Sequence, residues 1–315
     1  MPRASARRGD DANAMTQLIQ TLVLGLLLGG VYALAASGLT LVFGVMNVIN
    51  VAHGALLILS AYFTWALWRR TGIDPLLLVL VTTPLMFVLG WLIYQAGIRR
   101  IRGSGASMSV LLTFSLALVL QGVMGLVWGN LFRASRPSYV DESFHLGSIV
   151  LPKAKLYAFL AAIGILVLLW LLLTRTWLGR GIRAAAQNPS AAALIGIDTA
   201  AVAALTFAIG VATTGAGGAM ISVIGPFFPS SHYLWISRLL GIIVLGGMGS
   251  LAGAFVGALL MGVAEAMLPV YGDKIGIDNG LAWVTAVPYV VIFVVLIVRP
   301  HGLFGARTRE DVVSI

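Results

Sequence analysis

Long, uninterrupted apolar runs constrain this chain more than any other feature. They recur along most of its 315 residues, and an α-helix needs roughly 20 apolar residues to cross a bilayer. Only 10% of the residues are charged, whereas soluble domains carry about 25%. Because the apolar residues run continuously and do not alternate, a transmembrane barrel is excluded. The sequence therefore predicts an all-α, polytopic bundle of transmembrane helices.

Eight apolar segments are candidate spans, and they predict about eight or nine crossings with broken or re-entrant elements. The segments are 17–43, 46–68, 75–98, 108–130, 155–174, 199–224, 236–268 and 281–298. Segment 236–268 is too long for one upright helix, because a helix rises about 1.5 Å per residue. We predict that it breaks into two elements at a glycine cluster. The candidate gate or hinge residues there are Gly246, Gly247, Gly249, Gly253 and Arg238.

The net charge of +9 lies mainly in short loops between the apolar segments. Cytoplasmic loops of membrane proteins carry an excess of Lys and Arg, so this charge does not indicate a nucleic-acid partner. Residues 99–107, residues 175–198 and the C-terminus are basic, and 269–280 is net negative. We therefore expect the three basic segments to be cytoplasmic, with 131–154 and 269–280 on the outer side.

The chain divides into three parts by composition. Residues 1–14 are polar and basic and predict a disordered N-terminal extension, residues 15–305 form the membrane domain, and residues 306–315 form a C-terminal tail. The extension does not read as a signal peptide, because the apolar run after it is too long. Met15 would also serve as a start, so the extension could instead reflect a start codon assigned too early.

The side of the membrane on which the chain begins is ambiguous in the sequence. Counting back from the cytoplasmic Arg99 through three full spans places the N-terminus outside, whereas Arg3, Arg7 and Arg8 favour the cytoplasm. A broken or re-entrant segment within residues 37–54 would resolve the conflict, and so would the absence of the extension.

The basic segment 175–197 predicts two short helices joined at a cap. Residues 178–187 contain strong helix formers, Asn188 is a good N-cap residue, and Pro189 suits the first position of a second helix. A rigid pair of helices can seat in a groove of a soluble partner, although an ordinary cytoplasmic loop would also account for the arginines. The residues of this candidate coupling segment are Gly179, Arg180, Arg183, Ala184, Asn188, Pro189 and Gly196.

Several polar residues interrupt otherwise apolar segments. Polar groups in hydrocarbon cost several kcal/mol unless they are satisfied, and broken helices mark substrate sites in many transporters. The alternative for these residues is hydrogen bonding between helices, and the alternatives for the acidic one are a pair with Arg238 or a position among lipid headgroups. The candidate residues of a translocation path are Asn47, Asn50, His53, Gly54 and Glu265.

Five motifs, taken in order, resemble the branched-chain amino-acid ABC transporter permeases of the LivH type. They are the run 38–54 ending in Asn-Val-Ala-His-Gly, the run 179–197 beginning Gly-Arg-Gly-Ile-Arg-Ala, the glycine-rich run 245–254, Ala-Glu-Ala at 264–266, and Arg-Pro-His-Gly-Leu-Phe-Gly at 299–305. The resemblance covers about residues 16–305. The chain departs from the family in its less polar Ala185-Ala186-Gln187 and in residues 1–14.

The resemblance implies a multi-pass subunit of a bacterial inner-membrane importer for leucine, isoleucine and valine. It further implies a second permease subunit, two ATP-binding-cassette ATPase subunits that bind ATP–Mg, and a periplasmic substrate-binding protein. The chain itself would lie in the lipid bilayer as its partner, and it would bind no cofactor. Urea, short amides or other amino acids are alternative substrates.

The residues offer little support for an enzyme or a metal site. There is no phosphate-binding loop, so the chain should not hydrolyse ATP by itself. There are no cysteines, and the four histidines are scattered. Intramembrane acids, which secondary transporters usually carry, are scarce. A self-contained channel or secondary transporter that uses His53 and Glu265 as a relay is the alternative function.

Overall fold

The computed structural model describes residues 2–101, 105–299 and 301–305, and most of these residues are helical. The helices are α1 (Pro2–Met46), α2 (His53–Thr71), α3 (Val79–Ala96), α4 (Ala106–Trp128), α5 (Lys153–Arg175), α6 (Trp177–Gln187), α7 (Pro189–Leu194), α8 (Thr199–Ile224), α9 (Ser231–Gly246), α10 (Leu251–Tyr271), α11 (Gly280–Trp283) and α12 (Val287–Val298). Strands β1 (Ser143–Leu146) and β2 (Ile149–Pro152) form an antiparallel hairpin. The predicted polytopic helical bundle is confirmed. The predicted tail 306–315 lies outside the described residues.

Among the described residues, six helices are long and apolar enough to cross a membrane, namely the part of α1 from Ala14 onward, α3, α4, α5, α8 and α10. Helices α9 and α12 are apolar but shorter. The predicted break in segment 236–268 is confirmed, because α9 ends at Gly246 and α10 begins at Leu251. The predicted span 46–68 starts later than expected, because residues 47–52 are not helical and α2 begins at His53.

The first helix differs from expectation at its N-terminal end. It begins at Pro2, so residues 2–14, for which we predicted disorder, continue the helix of the first span. Adding a residue to an existing helix avoids the cost of a new nucleus, and Ala and Arg, which recur among these residues, are good helix formers.

The structure places the two ends of α1 on opposite sides of the bundle. Near its start, the Gln20 side chain exchanges hydrogen bonds with the backbone of Val150 in the hairpin, at 2.6 and 2.8 Å. Near its end, Leu41 packs with Ile182 of α6. If 175–198 is cytoplasmic, α1 therefore starts on the outer side. This agrees with the count of spans, and it disagrees with the cytoplasmic preference of arginines applied to Arg3, Arg7 and Arg8.

The chain re-enters the bundle directly after α1. The Nε2 atom of His53, the first residue of α2, lies 3.1 Å from the carbonyl oxygen of Ala35, which is about three turns before the end of α1. Helix α2 therefore starts inside the bundle, and residues 47–52 form a broken, re-entrant element. This element does not change the number of crossings, because the chain after α2 still reaches the side of the hairpin, where Asp74 bonds Tyr139. It therefore does not reconcile the N-terminal arginines with a cytoplasmic start.

The centre of the bundle is made by α1 and α8. Helix α8 is buried along nearly its whole length. Small residues let α1 approach both α10 and α8 closely. A Cβ atom on Gly29 would lie 2.8 Å from the Cα atom of Leu259 in α10, and one on Gly38 would lie 2.3 Å from the carbonyl oxygen of Gly210 in α8. Close backbone approach through small residues drives helix association in lipid.

Candidate functional site

The predicted two-helix form of the coupling segment is confirmed by its caps. The side chain of Asn188 accepts a hydrogen bond from the Ala191 N–H at 3.0 Å, and Pro189 occupies the first turn of α7. The segment ends at Gly196, whose φ of +85° is in the left-handed region. Sequence reasoning missed Thr176, whose hydroxyl caps α6 by accepting a hydrogen bond from the Gly179 N–H at 3.0 Å.

Helix α6 is amphipathic and lies on the bundle with one face. Ile182 and Ala185 are buried in a cluster with residues of α1, α5 and α8. Gly179 permits this approach, because a Cβ atom there would lie 2.2 Å from the carbonyl oxygen of Leu173 in α5. Arg180 and Arg183 are exposed, whereas Ala184 is half-buried. The segment is therefore fixed to three long helices and presents its arginines outward.

Large apolar side chains are also exposed on this segment. Trp177 is 83% exposed, Leu194 89% and Ile195 76%, and the guanidinium of Arg180 lies 4.0 Å from the Trp177 ring centroid. Tryptophan and arginine are the residues most enriched at the energetic centres of protein interfaces. Sequence reasoning missed this apolar surface, although large apolar residues in a polar loop are a readable signal.

The re-entrant segment carries an unsatisfied side chain. Asn50 is fully buried, and both its Oδ1 and Nδ2 atoms are without a hydrogen-bond partner among the described residues. The backbone on either side is held by Thr113 of α4, whose hydroxyl accepts from the Val51 N–H at 3.1 Å and lies 3.2 Å from the Ile49 carbonyl oxygen. Asn47 is exposed and has a φ of +52°.

His53 and Gly54 lie where α2 crosses three other helices. The Nε2 atom of His53 lies 2.8 Å from the Thr214 hydroxyl of α8, in addition to its contact with α1. A Cβ atom on Gly54 would lie 2.6 Å from the His232 carbonyl oxygen of α9. His53 therefore has the interhelical hydrogen bonding that we considered as the alternative to a path.

Glu265 is 4% exposed and is bonded through both oxygens. Its Oε1 atom accepts from Arg238 Nε at 2.7 Å, and its Oε2 atom accepts from the Tyr32 hydroxyl at 2.7 Å. The predicted pair with Arg238 is thus present. The alternative of a glutamate among lipid headgroups is wrong, because burial between α1, α9 and α10 keeps the carboxylate from the headgroups.

The glycine cluster forms a compact turn between α9 and α10. Gly247 and Gly249 have φ values of +101° and +84°, and a Cβ atom on Gly246 would lie 2.2 Å from the carbonyl oxygen of Gly253. The N–H of Phe304 donates to the Gly246 carbonyl oxygen at 2.9 Å. The C-terminal segment therefore braces this turn, a contact that the sequence did not reveal. Arg238 lies more than two turns away along α9.

Two clefts lie beside α1. A cleft of about 430 Å³ includes Ala33 and Ser37 in its lining, and a second of about 210 Å³ includes Gly44 and Arg183. Both touch Trp170 and Leu251, so the space follows α1 toward the coupling segment.

On the side of the bundle opposite the coupling segment, the loop before the hairpin is tied to the bundle. The Tyr139 hydroxyl donates to Asp74 at 3.1 Å, and the Ser135 N–H donates to the Ser222 carbonyl oxygen at 2.7 Å. Burial, and then the hydrogen bond to Asp74, raise the pKa of Tyr139 above its ordinary value. The loop is therefore fixed to the bundle at two points.

Comparison with known proteins decides the family. Residues 21–298 match the family described as branched-chain amino acid transport system / permease component. The chain belongs to this family. It is 29% identical to the high-affinity branched-chain amino acid transport system permease protein BraD of Pseudomonas aeruginosa, over 93% of this chain and 98% of that protein. It is 28% identical to LivH of Escherichia coli K12, over 93% of this chain and 97% of LivH.

A more distant relative is the fructose import permease protein FrcC of Rhizobium meliloti, 28% identical over 44% of this chain and 39% of that protein. No solved structure matches the chain significantly. Within the described residues, no group of three or more His, Asp or Glu could hold a metal ion. The chain is a multi-pass membrane permease.

Proposed function

We propose that this permease is one transmembrane subunit of an ATP-binding-cassette importer that carries leucine, isoleucine and valine across the bacterial inner membrane. The named transport functions of BraD and LivH support the substrate class. A second permease subunit would complete the path, a periplasmic protein would deliver the substrate, and two ATPase subunits would bind ATP–Mg and hydrolyse it.

The observation that carries the proposal is the form of the coupling segment. Helices α6 and α7 each have a side-chain cap at the N-terminus. One face of α6 packs on the bundle and the opposite face is exposed. A loop that served only to orient the chain would need its arginines and not an exposed Trp177 and Leu194. An exposed apolar patch rimmed by charge is what a soluble partner recognises.

The packing of α6 suggests how the ATPases would act on the spans. Ile182 of α6 lies in one buried cluster with Leu41, Leu173 and Val202, which belong to α1, α5 and α8. Packed interfaces move as units rather than deforming continuously. A displacement of the coupling segment by closing ATPases would therefore shift these three helices together and alternate the access of the path.

A self-contained secondary transporter is less well supported. It would need His53 and Glu265 to act as one relay. Instead, His53 contacts Ala35 and Thr214, while Glu265 is bonded to Tyr32 and Arg238. The two residues thus belong to separate hydrogen-bond groups, which favours coupling to a partner as the source of energy.

The charge reversal Arg183→Glu tests the proposal. Arg183 is exposed, so the substitution should change the free energy of unfolding by no more than about 0.5 kcal/mol. It should weaken co-purification of the ATPase subunits and abolish leucine uptake, because a reversed charge opposes docking of the partner. Arg136→Glu is the matched control, because it reverses the charge of an exposed residue in the loop before the hairpin. It should leave ATPase co-purification intact.

Uptake and ATPase binding retained by Arg183→Glu would contradict the coupling role. A complex that contains all partners, hydrolyses ATP and yet accumulates no branched-chain amino acid would contradict the substrate instead. Parallel uptake assays with urea and short amides would then identify the alternative substrate class.

A further inference from the structure

Arg238 and Glu265 form an ion pair inside the membrane-spanning part of the permease. The other ion pair among the described residues joins Lys153 and Glu142, whose side chains are 24% and 53% exposed, against 11% for Arg238 and 3% for Glu265. Desolvating two charges costs several kcal/mol per ion. Ionisable groups retained within a membrane usually serve a substrate or ion pathway.

Glu265 is hydrogen-bonded to only one of the three guanidinium nitrogens of Arg238. Glu265 uses both oxygens, one for Arg238 Nε and one for the Tyr32 hydroxyl. The guanidinium is further held by Trp235 and Tyr32, whose ring centroids lie 5.1 and 5.8 Å from its central carbon. The remaining accessible surface of the pair belongs mainly to Arg238. Its two terminal nitrogens are therefore held in position, but they are not hydrogen-bonded to Glu265.

A guanidinium in this state is suited to one chemical group. Arginine presents five N–H donors in a rigid fork, and the edge formed by the two terminal nitrogens matches a carboxylate with two parallel hydrogen bonds. The pair with Glu265 is neutral, so an approaching carboxylate meets no uncompensated negative charge. Both residues lie about two turns from the outer ends of their helices, on the side from which substrate would arrive.

We propose that the two terminal nitrogens of Arg238 bind the α-carboxylate of the transported amino acid, with Glu265 and Tyr32 as positioning residues. The inference rests on the proposed function, because it names the substrate group that this site takes. Aromatic rings flank the arginine and fix its plane, so the carboxylate is held in one orientation while the apolar side chain of the substrate is free to contact apolar helices.

The experiment measures ligand binding to the complete permease–ATPase complex in lipid nanodiscs without the binding protein. Ligand-detected saturation-transfer NMR gives the Kd for leucine, for leucinamide, which lacks the carboxylate, and for 4-methylpentanoate, which lacks the amine. In the unmodified complex, leucinamide should bind about tenfold more weakly than leucine, and 4-methylpentanoate should stay within about threefold of leucine.

Arg238→Lys keeps the charge opposite Glu265 and removes the fork. It should weaken leucine binding about tenfold while leaving leucinamide binding unchanged, so that the preference for the carboxylate disappears. Arg69→Lys is the matched control, because Arg69 also lies against a tryptophan ring, 5.1 Å from the centroid of Trp65, on an exposed helix end. This control should keep the full preference.

Each outcome decides the inference. Equal binding of leucine and leucinamide by the unmodified complex overturns it, and that test does not depend on whether any variant folds. A full carboxylate preference in Arg238→Lys also overturns it and leaves the pair a purely structural role. Failure of the complete importer to accumulate leucine would instead overturn the proposed function, so the two failures are distinguishable.

Discussion

The coupling segment and the buried Tyr32–Glu265–Arg238 group place their charges in opposite surroundings. In the coupling segment, Arg180 and Arg183 are exposed and the apolar side of α6 is turned inward. In the buried group, the three side chains are largely buried, and Glu265 is bonded to both Arg238 and the Tyr32 hydroxyl. The arginines of the coupling segment are thus open to solvent, whereas Glu265 joins the other two members of the buried group.

This difference follows from the cost of desolvation. An exposed charge keeps its hydration and contributes little to stability, so it is available for a partner. A buried charge loses its hydration and persists only with a well-placed counter-charge and hydrogen bonds. Removing a charge should therefore impair docking of a partner in the first region and lower the stability of the fold in the second. Three experiments test that contrast.

The largest effect should come from removing the charge of Glu265. Glu265→Gln leaves Arg238 buried without a counter-charge and should lower the free energy of unfolding by about 3–5 kcal/mol, measured by thermal or denaturant unfolding in detergent. Replacing both partners, with Arg238→Met in the same chain, should recover part of the loss.

Glu142→Gln provides the exposed comparison for this prediction. Its partner Lys153 is also partly exposed, so the change should cost no more than about 1 kcal/mol. Equal losses for Glu265→Gln and Glu142→Gln would show that the buried pair is far better hydrated than the structure indicates.

A smaller effect is expected where α2 meets α9. Gly54→Ala places a methyl group 2.6 Å from the His232 carbonyl oxygen, and overpacking of this kind costs about 1–3 kcal/mol. In α5, Gly164→Ala adds a carbon with no atom within 4 Å apart from the nearby backbone of its own helix. It should instead gain up to about 1 kcal/mol from helix propensity. Coinciding unfolding curves for the two variants would contradict a close approach of α2 and α9 at Gly54.

The smallest effect should be confined to the coupling segment. Asn188→Ala removes the cap of α7 and should weaken that helix by about 1 kcal/mol, with no change in global unfolding. Hydrogen–deuterium exchange should become faster in residues 189–196 alone. Asn188→Asp retains a capping oxygen and Ser190→Ala removes an exposed hydroxyl, so neither should accelerate exchange. Faster exchange spreading into α5 or α8 would show that the segment is integral to the bundle.

The two regions also differ in how much of their structure a local pattern can indicate. Asn188, Pro189 and Gly196 could be assigned because capping and chain reversal depend on neighbours three or four residues away. The exposed apolar surface of Trp177 and Leu194 lies in the same loop and was not predicted, although large apolar residues in a polar loop indicate it. Tyr32 could not be found, because it is 233 residues from Glu265 along the chain, and no local pattern links two such positions.

The class of fold, the break at the glycine cluster and the two-helix coupling segment could all be predicted from the residues alone. These follow from apolar run length, backbone freedom and capping, which are properties of short stretches of chain. Three other features required the packed structure: the two ends of α1 lie on opposite sides of the bundle, α2 begins inside it, and Glu265 is paired with Arg238 rather than placed among headgroups. These facts depend on which distant helices share space, and that is settled by packing and by the need to satisfy every buried polar group.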